Sequence, residues 1–367
     1  MTQKLICQMP RLFDGYEIEI GWGLLKNQTY YLSSLASRFV IITDDKIASL
    51  YGKELKHSLG LESYLFSFPH GEAYKTRATK ETLENHLFEK GLGRDTCLIA
   101  LGGGVVTDIA GYLAATYCRG IPLVMMPTSL LAMVDASIGG KTGVNLSYAK
   151  NRVGVIYQPK KVVIDLATLH TLPKRELING VVEMIKLGLI TEKRLFEDLE
   201  QHSDRILALD VKFLEKVIFE SCRIKKEIVE QDEREGGKRQ LLNFGHTIGH
   251  ALEEVTHYAL SHGEAVAIGV LVESYLSLQL ELLHPSCFDR IRKILVQYGL
   301  SLQLPFQLSI QSLLDKMALD KKSIKGQPRF VMIKGIGEPL IYGSTYSHPI
   351  EESLLKTALQ WMNRSLA

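Results

Sequence analysis

Cysteine is scarce in this chain. Cys7, Cys97, Cys118, Cys222 and Cys287 are scattered through 367 residues, an odd count with no CxxC spacing. That argues against a disulfide framework or a cysteine-built metal site and predicts reduced thiols in a cytoplasmic protein. A surplus of one charge is also missing. The 43 basic and 41 acidic residues leave a net charge of +2. Nucleic-acid-binding domains usually carry a stronger basic excess, so that class of partner is disfavoured. No apolar run has membrane length. The longest, Ala265 to Leu283, is broken by Glu273, Ser274 and Gln279 and reads as a buried helix. The opening MTQKLICQMPRLFDG holds too short an apolar run for a secretory signal. Internal repeats and low-complexity tracts are absent.

What remains is ordinary globular composition, 46% hydrophobic and 23% charged, in a chain long enough for two domains. Up to about residue 170, short apolar runs alternate with helix-length segments. FVIIT (Phe39 to Thr43), TCLIAL (Thr96 to Leu101), IPLVMMP (Ile121 to Pro127) and KVVID (Lys161 to Asp165) suit strands covered on both faces. The alternation predicts a mostly parallel, Rossmann-like α/β domain over residues 1–172. After Pro173 the texture changes. From Arg175 to about Gly299 helical spacing dominates, as in Leu214, Val217, Ile218 and Cys222. The charged QDEREGGKRQ (Gln231 to Gln240) reads as a loop, and RFVMIKGIGEPLIYG as a hairpin before a final helix. Residues 173–367 are therefore expected to form an all-α domain.

LIALGGGVVTDIAGYLAATY reads as strand, glycine turn and helix. Gly102, Gly103 and Gly104 remove side chains where backbone amides must approach an anion, and the helix adds unpaired N–H groups and its dipole. Thr107 stands at the last glycine position of a GxGxxG pattern, so a tight turn without a ligand is as good a reading of this segment alone. Asp44 ends a predicted strand, where an acid can bond ribose hydroxyls or simply cap a helix. Glu72 and Lys75, in FPHGEAYKT, would by themselves pass for a solvated turn.

NFGHTIGHALEE sets His246 and His250 on one helical face, and SHGEAVAIG puts His262 at the start of another helix. Three histidines within 17 residues suit a borderline ion such as zinc, which takes imidazole and carboxylate donors. Thr247 follows His246, so the glutamate of an HExxH protease is missing. Glu183, inside the apolar GVVEMIKLGLI, is a candidate carboxylate ligand, because a buried acid needs a partner. Lys186 lies on the same face and could equally form a local ion pair with it. Asp135, Lys141, Lys150 and Asn151 occur among small residues, and Arg119, Lys225, Arg239, Lys321 and Lys322 are further cations. A convergent subset would suit a small substrate with several negative charges.

Taken together, GGGVVTDIAGYLAATYCRG, PTSLLAMVDASIGGKTGVN, AKNRVGVIYQP, GVVEMIKLGLI, DEREGGKRQLLNFGHTIGHALE and SHGEAVAIG resemble the 3-dehydroquinate synthase family. The resemblance runs in family order from about Asp44 to Lys322. It implies a dehydroquinate synthase-like fold and a homodimer. It also implies a carbon–oxygen lyase of the shikimate pathway, converting 3-deoxy-D-arabino-heptulosonate 7-phosphate (DAHP) to 3-dehydroquinate and phosphate. In that family NAD transiently oxidises the C5 hydroxyl, phosphate leaves by β-elimination, the hydride returns, and an intramolecular aldol closes the ring.

By the same resemblance Glu183, His246 and His262 hold one divalent ion, Zn²⁺ or Co²⁺. Asp44, Glu72, Lys75, Gly103, Gly104, Val105, Val106, Thr107, Asp108, Thr128, Ser129, Lys141, Lys150 and Thr168 match cofactor positions. His250, Lys141, Asn151 and one of Lys321 or Lys322 match phosphate-side positions, with Arg119 supplied across the dimer. Lys225 and Arg239 match carboxylate-binding positions. Asp135, Lys186, Asn243 and Glu235 match positions around the sugar hydroxyls. Lys141, Lys186, His250 and Glu235 are the implied catalytic groups. Departures are small: Thr107 for a frequent glycine, Ser129 for threonine, and NRVGVIYQP for the usual segment. Rival readings are a cyclase for another sugar phosphate, a metal-dependent polyol dehydrogenase and a non-catalytic NAD module.

Overall fold

The computed structural model describes residues 15–60, 62–146, 149–319 and 326–366. Six strands form one parallel sheet: β1 (Glu17–Gly21), β2 (Arg38–Asp44), β3 (Ser63–Phe68), β4 (Thr96–Gly102), β5 (Leu123–Pro127) and, after a hairpin, β8 (Lys161–Asp165). Their order across the sheet is β1-β8-β5-β4-β2-β3. The four strands expected from apolar runs are β2, β4, β5 and β8. Each has an unbroken apolar centre because both of its faces are covered. In β2, Val40 and Ile42 join the large core shared with the helical half, while Phe39 and Ile41 pack on the other side with Leu32, Leu55 and Leu59. All seven of these side chains are nearly or fully removed from water, and each such burial stabilises by roughly 1.5–3 kcal/mol.

The edge strands β1 and β3 carry no such run. EIEIG and SYLFSF are only half covered, so their polar positions hide them in the sequence. The antiparallel pair β6 (Lys141–Leu146) and β7 (Ala149–Ile156) also differs from the small-residue stretch expected there. Gly143 and Gly154 face each other in it. A Cβ on Gly154 would lie 1.9 Å from the Thr142 carbonyl oxygen, so glycine there serves close strand approach.

From residue 174 onward helices dominate. The ones that build the site are α2 (Lys174–Ile190), α3 (Val211–Gln231), α4 (His246–Val255) and α5 (His262–Gln279); α1 (Gly104–Thr116) follows β4 in the sheet half. The stretch expected to be a buried helix is most of α5, and no described helix is long and apolar enough to cross a membrane. The charged segment after Gln231 is a loop leading into a short 3-10 turn at Lys238–Asn243. The expected tail hairpin is a short antiparallel pair, β9 (Ile333–Gly335) with β10 (Glu338–Pro339). One hydrophobic cluster runs from Val40 and Leu98 in the sheet to Ile185, Ile248, Leu271 and Met362 in the helices.

Candidate active site

Chain order reverses between β2 and β4, since β3 lies on the outer side of β2. Ligands of open α/β sheets bind at the carboxyl ends of strands at such a reversal. Here those ends carry Asp44 and the Gly102–Gly104 turn. Gly103 caps α1 in an extended conformation with no side-chain hydrogen bond to the helix end, which leaves the first-turn N–H groups to an anion. Gly103, Gly104, Val105 and Val106 line a cavity of about 1160 Å³. Asp44, Glu72, Lys75, Asp108, Thr128 and Ser129 line it too. This geometry fits a dinucleotide.

Asp44 caps the short helix that follows β2 and also lines the cavity. One carboxylate oxygen caps Ile47 at 2.9 Å and the other lies 3.1 Å from His70 Nδ1. Lys75 is buried, 2.5 Å from Asp108 and 2.6 Å from the Asn151 side-chain oxygen. Desolvation lifts the Asp108 carboxyl above the usual carboxylate range, against the pull of Lys75. Glu72 accepts from Asn145 at 2.8 Å and lies 3.7 Å from Lys150. Two expected contacts sit elsewhere. Thr107 is buried with its hydroxyl turned back to the Gly104 carbonyl at 3.0 Å, and Thr168 donates to the Asp165 carbonyl at 2.8 Å. Neither lines the cavity.

On the helical side, α2, α4 and α5 bring Glu183, His246 and His262 together. Each histidine is the first residue of its helix, and Ser261 with Glu264 forms a capping box that fixes the start of α5. Glu183 Oε1 lies 3.4 Å from His246 Nε2 and 3.6 Å from His262 Nε2. Donors about 2 Å from a tetrahedral ion stand about 3.3 Å apart, so these separations fit a divalent cation. Glu183 Oε1 is buried and accepts no hydrogen bond among the described residues, and its other oxygen pairs with Lys186. Burial opposes its charge, but Lys186 and His262 hold the carboxyl below the usual range. Burial also opposes an imidazolium at His262, yet Glu253 and Glu183 lift that ring to about 10. A metal ion entering there competes with a proton. His250, Glu253 and His262 form a second grouping of possible donors.

The remaining polar residues meet in the same cavity. Lys225 donates to the Asp135 carboxylate at 2.6 Å, and Lys141 to Glu235 at 2.6 Å. Glu235 also accepts from Asn243 at 2.9 Å. Desolvation would raise Asp135, but Lys225 and Lys186 hold its carboxyl well below the usual range; burial pulls the Lys225 ammonium down against Asp135. Arg239 is 1% exposed and donates to the carbonyls of Glu233 at 2.5 Å and Gly139 at 3.0 Å. Gly139 has φ +96°, and a Cβ there would lie 2.5 Å from the guanidinium. Lys141, Lys186, Asn151 and His250 line the cavity; Arg119 is exposed and does not. Lys321 and Lys322 lie outside the described residues. Glu253 was not singled out in the sequence. It is 3% exposed, 3.0 Å from Lys150 and 3.4 Å from His262. The only signal for it was an acid one turn beyond His250, on the helical face that also carries His246.

A dinucleotide crevice and a Glu-His-His nest that open into one cation-lined cavity define a nucleotide- and metal-dependent enzyme for a small polyanionic substrate. Residues 65–179 match the family model described as 3-dehydroquinate synthase N-terminal, and residues 180–323 that described as 3-dehydroquinate synthase C-terminal. The chain belongs to the 3-dehydroquinate synthase family, whose members are phosphate-eliminating lyases. It is 43% identical over 334 residues to 3-dehydroquinate synthase of Desulforamulus reducens, spanning 89% of this chain and 93% of that one. With 3-dehydroquinate synthase of Nitrosomonas europaea it shares 45% over 329 residues, 88% and 89% of the two chains. Among solved structures, 2-epi-5-epi-valiolone synthase from Streptomyces hygroscopicus with NAD⁺ and Zn²⁺ bound superposes with a TM-score of 0.89 at 27% identity, covering 99% and 100% of the chains. A 2-deoxy-scyllo-inosose synthase complexed with carbaglucose-6-phosphate, NAD⁺ and Co²⁺ gives 0.86 at 26%, covering 95% and 96%.

Proposed function

We propose that the chain converts DAHP to 3-dehydroquinate and phosphate, with NAD in the crevice at Asp44 and Gly103 and one zinc or cobalt ion held by Glu183, His246 and His262. When bound, the two supply a transient hydride acceptor and a Lewis acid. The chain's own residues bind and orient. Lys225 and Arg239 take the substrate carboxylate, Arg239 being held in place by two backbone carbonyls. Lys141, Asn151 and His250 face the phosphate, and Asp135, Lys186, Asn243 and Glu235 face the sugar hydroxyls. Most of these cations rest on carboxylates of the same cavity. A charged substrate therefore exchanges one set of ion pairs for another and does not meet bare buried charge. Holding the phosphate beside the carbon that loses its proton lets the leaving group act as the base, so positioning carries much of the rate.

The observation that carries this reading is the buried Arg239 and Lys225 in the cavity of the metal nest. Cyclases for sedoheptulose 7-phosphate or glucose 6-phosphate have no substrate carboxylate to place there. The test is phosphate release from all three sugars, after chelation and after zinc return. DAHP alone is expected to react, only with metal, and with no net NADH absorbance. No turnover of DAHP by zinc-replete protein rejects the reading, and accumulating NADH favours a dehydrogenase.

The protein is further proposed to work as a cytoplasmic homodimer with domains at 1–172 and 173–367. Unpaired Cys97, Cys118, Cys222 and Cys287 support a reducing compartment. An Arg119 that stays out of its own cavity supports a partner's use of it, and sedimentation checks the dimer.

A further inference from the structure

We propose that Glu253 is a positioning residue for the metal nest: its carboxylate fixes the tautomer and orientation of His262 and is itself anchored by Lys150 from the sheet half. This rests on the assignment of Glu183, His246 and His262 as the ligands. An imidazole that ligates through Nε2 carries its proton on Nδ1 and needs an acceptor there. His246 has one in the Phe244 carbonyl, 3.2 Å from its Nδ1. His262 turns Nε2 toward Glu183 and Nδ1 toward Glu253 Oε2, at 3.4 Å. Glu253 is 3% exposed, and a buried carboxylate is retained only against a compensating charge. Lys150 provides it, 3.0 Å from Oε1 and 4.4 Å from the centre of the Tyr258 ring. Lys150 sits on β7 and also reaches toward Glu72 at 3.7 Å, so His262, Glu253, Lys150 and Glu72 form a chain from the metal nest to the cofactor crevice. The alternative is that Glu253 joins His250 and His262 around a second ion. A neutral His262 ring that ligates through Nε2 keeps its proton on Nδ1 and has no second lone pair to give another ion, which argues for support of one ion.

The experiment measures zinc binding by the full-length protein against a chelator of known affinity, with zinc content per chain. Glu253→Gln keeps the shape and removes the charge. It is expected to weaken zinc binding about 10- to 100-fold, to shift the visible bands of the cobalt-loaded protein, and to lower kcat more than the KM for DAHP. Metal-free Glu253→Gln is expected to melt below the metal-free parent, because Lys150 loses a buried ion-pair partner, so zinc binding is compared at a temperature where both proteins are folded. Should Glu253→Gln misfold, Glu253→Asp, which withdraws the carboxylate by one methylene, is expected to weaken zinc binding and shift the cobalt bands in the same sense. Glu183→Ala is the control for the underlying assignment. If that variant keeps its zinc, the ligand assignment fails. If it loses zinc while a folded Glu253 variant binds as tightly as the parent, the role of Glu253 is overturned. Two zinc ions per chain would overturn it as well.

Discussion

The Arg239 guanidinium donates to the carbonyls of Glu233 and Gly139 and to no carboxylate among the described residues, which leaves its charge for a substrate acid. Arg239→Ala is expected to lower kcat/KM for DAHP by about 10- to 150-fold, the equivalent of one charged hydrogen bond at roughly 1.5–3 kcal/mol. Steady-state kinetics check it, and an unchanged KM and kcat would remove the carboxylate role. Other residues are held out of chemistry. Burial pushes the Cys97 and Cys222 thiols up to about 12, so at pH 8 only about one in 10,000 is thiolate, the reactive form. Peptide mapping after treatment with an alkylating reagent at pH 8 is expected to find both unmodified in native protein and modified after unfolding. At this scale the sequence showed the histidines, because three within 17 residues is a visible cluster. It hid Glu253, whose two partners lie 103 positions upstream and 9 downstream.

The helix that presents His262 starts with a capping box. Ser261 accepts the Glu264 N–H, and Glu264 accepts the Ser261 N–H at 2.7 Å. Ser261→Ala is expected to cost about 1 kcal/mol, read as a lower urea midpoint with an unchanged slope. In the loop before Arg239, the Asp232 carboxylate accepts N–H groups from Gly236, Gly237 and Arg239 at 3.0, 2.7 and 2.9 Å. Burial opposes its charge, but these donors hold the carboxyl below the usual range. A folded value below the unfolded one, about 3.9, gives stability that is full above pH 4 and fades as pH falls through the folded value. Subtracting the acid unfolding curve of Asp232→Asn from that of the parent is expected to show that loss below pH 4; parallel curves would contradict it. Elements covered on both sides were legible as apolar runs. Edge strands β1 and β3 and the β6–β7 pair were not, because partial exposure and glycine erase the pattern.

Across the whole molecule, one apolar cluster joins sheet and helices, and Lys150–Glu253, Lys141–Glu235 and Asp135–Lys225 tie the halves at the cavity. Heating is therefore expected to unfold both halves in one transition. Zinc and NAD should each raise it, by about 2.7 kcal/mol of stability at 100 times the dissociation constant. Calorimetry with either ligand checks this; two transitions, with NAD moving only the first, would contradict a shared core.

By itself the chain determined its fold class, its glycine turn and the histidine cluster, since apolar periodicity, missing side chains and short spacings are local properties. The tertiary structure decided which acids and cations meet. Glu183 and His262 are 79 positions apart, and Lys225 and Asp135 are 90. No local pattern encodes such pairs: they exist because β2 and β4 open a crevice on one side while α2, α4 and α5 converge on the other.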